Sequence, residues 1–151
     1  MSRLHLLRIL LIYGLYLIEA RAQDLQPEPD SPEVQRAFHA HFLEVRTACA
    51  EEFLLPYANV LQFNTTGKLF DEKDMTSMCY FRCFFEKAGI IENFKLNPDV
   101  VRKYMWPATG DSIEFCESQA MDEQNACVRT YTIAQCAMMR ALTDARNTPM
   151  V

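Results

Sequence analysis

The chain has 151 residues, half of them hydrophobic, with six cysteines and a net charge of −5. That length suits one domain with a modest core. An acidic balance sets aside nucleic acid and anionic membrane as partners.

The chain opens with Arg3 and Arg8, followed by an apolar run from Ile9 to Ile18 and then Glu19-Ala20-Arg21-Ala22. A charged start, a short apolar stretch and small residues at Ala20 and Ala22 have the form of a secretory signal peptide cut after Ala22. The run falls short of the ~20 residues that a spanning helix needs. Residues 1–22 are therefore expected to be a signal peptide, and residues 23–151 a single secreted domain not inserted into a membrane. The cut removes Arg3, Arg8, Arg21 and Glu19, which leaves the mature chain more acidic still.

Pro27, Pro29 and Pro32 make 23–32 a flexible lead-in. Ser31-Pro32-Glu33 reads as a helix start, with a capping serine, proline in the first turn and an acid beside it. Val34, Phe38, Phe42, Val45 and Cys49 then share one helical face. Pro56 opens a second helix through Tyr57, Val60 and Leu61, stopped by Asn64-Thr65-Thr66-Gly67. Asp71 and Asp74 begin a third, which carries Cys79 and Cys83 and ends at Gly89. Asn97-Pro98-Asp99 caps a fourth, with Val101 and Tyr104, closed by Pro107. A fifth starts at Asp111 and carries Ile113 and Cys116. A sixth runs from about Cys127 to Leu142. The alternation that marks strands is absent, so the expected class is all-α.

An even number of cysteines behind a signal peptide reads as three disulfides, and the spacing lacks the paired C-x-x-C units of a zinc site. Cys79 and Cys83 lie one helical turn apart with parallel side chains, so each must reach a different element. Cys127 and Cys136 on one helix would stand ~13 Å apart, beyond the reach of a disulfide. These exclusions leave most of the fifteen possible connectivities open.

The six cysteines are separated by 29, 3, 32, 10 and 8 residues, and the third is followed by Phe84-Phe85-Glu86-Lys87-Ala88-Gly89-Ile90-Ile91. Over roughly residues 33–142 this order resembles the insect odorant-binding proteins, the pheromone- and general-odorant-binding family. The resemblance implies a six-helix, disulfide-stapled domain enclosing an apolar cavity. It also implies the pairs Cys49–Cys83, Cys79–Cys127 and Cys116–Cys136. By position relative to the cysteines, it puts cavity-lining sites at Phe85, Ile90, Leu96, Thr130, Ala134 and Ala137. Helical period adds Phe42, Val101, Tyr104, Ile113 and Met138, and Thr130 and Tyr104 are the polar groups expected to orient a ligand. Two features depart from the pattern. The turn Glu92-Asn93-Phe94-Lys95-Leu96 lacks the glycine common there, and the tail after Cys136 is only 15 residues long.

Catalytic signatures are missing: there is no G-x-S-x-G, no H-E-x-x-H and no phosphate loop. His39 and His41, two residues apart on a helix, face different ways and read as surface residues rather than a metal pair. Several methionines and phenylalanines, among them Met75, Met78, Phe81, Phe84, Met105, Met121 and Met139, read mainly as core, although methionine walls also suit an adaptable pocket. Asn64-Thr65-Thr66 is a glycosylation sequon in an expected loop. The expected function is that of a secreted carrier for small apolar, odorant- or pheromone-like ligands. The alternative is an extracellular interaction or scavenging protein on the same scaffold in haemolymph, saliva or seminal fluid. The expected partners are a small hydrophobic ligand and, in a chemosensory setting, a membrane chemoreceptor. No enzyme activity, cofactor or metal is expected.

Overall fold

The structure, a computed structural model, describes residues 30–105 and 111–147. The expected signal peptide, most of the lead-in, the stop at Pro107 and the end of the tail lie outside these residues. The chain divides into residues 1–36 and 37–151. Of the first unit only Asp30 to Arg36 is described, and there the Ser31 hydroxyl accepts the Val34 N–H at 3.4 Å and caps the first helix.

The helices are α1 (Pro32–Phe53), α2 (Tyr57–Thr66), α3 (Met75–Lys87), α4 (Pro98–Val100), α5 (Ser112–Gln119) and α6 (Ala126–Asn147). A π-helical turn, Val101–Met105, continues α4. The class is all-α, as the sequence implies.

The boundaries differ from the sequence reading in ways that local hydrogen bonds explain. Helix α2 runs on through the sequon instead of stopping at Asn64. The Thr65 and Thr66 hydroxyls donate back to the Leu61 and Gln62 carbonyls at 2.9 and 2.8 Å, so both side chains are satisfied inside the turn. Gly67 then ends the helix at φ 74°. Asp74 caps α3, its carboxylate accepting the Ser77 N–H at 3.1 Å. Helix α3 closes in a Schellman motif: the Ile90 N–H donates to the Phe85 carbonyl, the Gly89 N–H to that of Glu86, and Gly89 sits at φ 69°. Helix α6 extends five residues past Leu142.

A small β-hairpin was not expected. Strands β1 (Ile91–Glu92) and β2 (Lys95–Leu96) pair antiparallel, Ile91 opposite Leu96. Two residues are too few for alternation to show in the sequence. The connecting Asn93 and Phe94 have φ of 50° and 61°, the left-handed pair that two-residue hairpin turns require. Asparagine tolerates this conformation and phenylalanine resists it. Tertiary contacts hold it in place: the Arg129 guanidinium lies 4.4 Å over the Phe94 ring. Nearly buried Glu117 accepts the Leu96 N–H and the Lys95 ammonium, each at 2.8 Å. The turn thus forms without glycine.

Three disulfides fasten the helices: Cys49–Cys83 joins α1 to α3, Cys79–Cys127 joins α3 to α6, and Cys116–Cys136 joins α5 to α6. These are the pairs the resemblance implies. Around them Phe63, Tyr80, Phe81, Phe85, Ile90, Ile133 and Ala134 are nearly or fully buried.

Candidate ligand cavity

Helix α3 carries Tyr80, Phe81, Phe84 and Phe85, whose one-, three- and four-residue spacings set four rings on one broad face. Its two disulfides pin that face in place. Val60 and Phe63 of α2 stand against it, with the Phe63 and Phe81 rings 4.3 Å apart. Helix α1 contributes Phe42, Leu43 and Arg46, and Met105 and Met138 complete the lining. His39 and Asn64 also line the space and are exposed, so they mark its mouth.

The cavity volume is about 160 Å³, and the space is open to solvent at His39 and Asn64. A dry cavity of ~150 Å³ accommodates benzene, so the interior holds a group of about that size and a larger ligand extends through the mouth. Among the described residues that line it there is no aspartate or glutamate. Burial pushes the Tyr80 phenol up to about 12, against a downward pull from the charge of Arg46. The neutral hydroxyl is therefore the form present at physiological pH.

The wall along α1 is aromatic. Phe38 stacks on Tyr104 at 3.7 Å, Phe38 lies 4.7 Å from Phe42, and Phe42 meets Phe84 edge-on at 5.2 Å. Behind the cavity, the Tyr131 hydroxyl accepts the Leu69 N–H at 3.1 Å and contacts Glu72 and Gln135, which fixes the loop after α2 to α6.

Of the residues singled out in the sequence, Phe42, Phe85 and Met138 line this cavity. Ile90, Leu96, Val101, Ile113, Thr130 and Ala134 are buried away from its lining, packed as core. Tyr104 is half-buried and props Phe38, and Ala137 is half-buried against the core. Thr130, expected to orient a ligand, is fully buried with no hydrogen-bond partner for its hydroxyl and lies outside the lining. Asn64, expected in a loop, sits in the last turn of α2. His39, read as a plain surface residue, stands at the mouth. Sequence reasoning also missed Arg46 and Tyr80. Arg46 lies four residues past Phe42, the one available hint that it shares that face. Met75, Met121 and Met139 are exposed and Met78 is buried outside the lining, so among the described residues the methionine content enters the cavity only through Met105 and Met138.

Among the described residues no three histidine, cysteine or acidic side chains cluster to hold a metal ion, and no helix is long and apolar enough to cross a membrane.

Comparison with known proteins places this architecture. Residues 31–140 match the PBP/GOBP family. The chain is 57% identical over 118 residues to general odorant-binding protein 84a of Drosophila melanogaster, a match covering 78% of this chain and 67% of that one. No solved structure matches. Given a family match over most of its length and a relative of this identity, the chain belongs to the PBP/GOBP family of insect odorant-binding proteins.

Proposed function

We propose that this protein is a secreted carrier that takes a small odorant- or pheromone-like molecule into the cavity between α1, α2 and α3 and moves it through aqueous fluid. The observation that carries this reading is the cavity itself. Its interior is aromatic and aliphatic, its few polar groups stand at defined points, and its rear wall is locked by disulfides. A ligand site needs this combination of apolar walls, sparse polar contacts and rigid support. The relative named above is an odorant-binding protein, which points the same way. The family consists of binding proteins, not enzymes, and the lining supplies burial rather than reactive groups.

Covering ~300 Å² of apolar ligand surface contributes up to about 7 kcal/mol before entropy costs, in the range of micromolar binding. The test is fluorescence titration of the oxidised, lipid-stripped protein with the neutral dye N-phenylnaphthylamine. Saturable binding at micromolar concentration is expected, reversed by small volatile alcohols, esters or aldehydes. Absence of saturable binding would remove the carrier reading. Asn64 belongs to the same proposal as a glycan site at the mouth. A mobility shift of the natural protein on enzymatic deglycosylation, absent after Asn64→Gln, is the expected sign.

A further inference from the structure

We infer that the cavity takes its ligand as a carboxylate, with the Tyr80 hydroxyl donating to the head group, the Arg46 guanidinium balancing its charge and the tail lying among Phe63, Phe81 and Phe85. The inference rests on the carrier reading and names the ligand class for the same site.

Two separate observations lead to it. The first is the state of Tyr80. The residue is 1% exposed and lines the cavity, and its hydroxyl makes no hydrogen bond to another described residue, which leaves it open to whatever the cavity holds. Tyr131, 3% exposed in the same core, has Leu69, Glu72 and Gln135 around its oxygen. Tyr80 differs in lining the cavity, where a ligand can supply an acceptor.

The second is the sign of the charge. The chain carries a net charge of −5, yet the described residues lining the cavity include Arg46 and His39 and no acidic side chain. Arg46 is half-buried and has no ion pair among the described residues. Arg82 and Arg140, by contrast, are each paired with a carboxylate, at 2.9 and 3.1 Å. A guanidinium and a phenol that line one cavity, neither bonded to another described residue, make a two-point donor set, which matches an ionised carboxylate better than an ester or an alcohol. The volume of about 160 Å³ is filled by a short or medium chain.

The experiment displaces N-phenylnaphthylamine from the oxidised protein with octanoic acid, methyl octanoate and octanol at neutral pH, where the acid is ionised. The acid is expected to displace the dye at roughly ten-fold lower concentration than the ester, because hydrogen bonds to a charged group exceed neutral ones. Tyr80→Phe, which removes only the hydroxyl, is expected to collapse the acid-to-ester ratio by about ten-fold, and Arg46→Gln to do the same. Circular dichroism and the thermal midpoint check that each variant is folded. A wild-type protein that binds the dye but prefers the ester overturns the inference and leaves the carrier reading standing. So does an acid-to-ester ratio that survives both substitutions. A wild-type protein that never binds the dye overturns the carrier reading itself.

Discussion

On the rear side of the cavity, α3 is tied through Cys79 to α6 and through Cys83 to α1, and Phe63, Phe81 and Phe85 there are at most 2% exposed. On the side of α1, Phe42 and Tyr104 are half-buried and linked through rings: Phe38 between them, Phe84 across the gap. Helix α1 is covalently held at Cys49, well beyond its ring contacts in the chain. The rear wall therefore has a shape set by cross-links and close packing. The α1 wall is held by stacking worth about 1 kcal/mol per ring pair beyond area burial. A carrier has use for both, since a fixed wall defines which ligand fits and a weaker wall lets it in and out.

The largest expected effect breaks the rear wall. Removing Cys79–Cys127, which closes a loop of 48 residues, should cost about 4 kcal/mol if chain entropy dominates. Removing Cys116–Cys136, with a separation of 20, should cost about 3 kcal/mol. Urea denaturation of the two double-alanine variants measures the order. A reversed order would mean that the contacts each bridge preserves outweigh loop length.

Next comes a direct contrast between the walls. Phe63→Ala should lower stability by about 3 kcal/mol, because it empties a packed site between α2 and α3. Phe42→Ala, on the half-buried wall, should cost about 1 kcal/mol and act mainly on the ligand, shifting preference toward bulkier molecules. Denaturation midpoints paired with displacement series test this. Equal stability losses at the two positions would show that the α1 wall is as firm as the rear.

A smaller effect is expected at Gly67, where α2 turns toward α6. Its φ is 74°, and an added Cβ would come within 2.8 Å of Met139 Cγ. Gly67→Ala should cost about 1–2 kcal/mol through backbone strain and this clash. Adding Met139→Ala should recover the clash and leave the strain, so thermal melts of the single and double variants separate the two causes.

The smallest is the cap of α3. Hydrogen bonding from Ser77, against a partial opposing effect of burial, holds the Asp74 carboxyl below its ordinary value. A lowered folded-state pKa contributes stability above the unfolded value of ~4, and this is lost as pH falls through the folded value. Asp74→Ala should cost about 1 kcal/mol at neutral pH, and the difference from wild type should shrink in acid. Urea midpoints measured across the acid range check it. A difference independent of pH would mean that the carboxylate's charge contributes nothing.

Reading the elements from sequence worked where local chemistry decides. Ser31, Asp74, Gly67 and Gly89 carry their capping roles in their own side chains or lack of one, so the helix starts and stops near them were legible. The hairpin at Asn93-Phe94 was not, because its turn is held by Glu117 and Arg129 from distant helices. The cavity was legible in part. Phe42, Phe85 and Met138 lie on apolar faces, and so do Ile90, Val101 and Ala134. Periodicity says which face turns inward but not whether it meets a void or another side chain.

By itself the sequence determined an all-α chain with six cysteines, and its family resemblance carried the pairing now seen in the structure. Cysteine spacing and capping residues act over one or two turns, and they survive in the order of residues. The tertiary structure alone decided that Arg46 and Tyr80, from two different helices, line one cavity with no carboxylate among its described residues, and that Thr130 is not in that lining. Such placement depends on how α1, α2 and α3 cross, and a void is bounded by side chains far apart in the chain. Its sign and its unpaired groups exist only once those helices have packed.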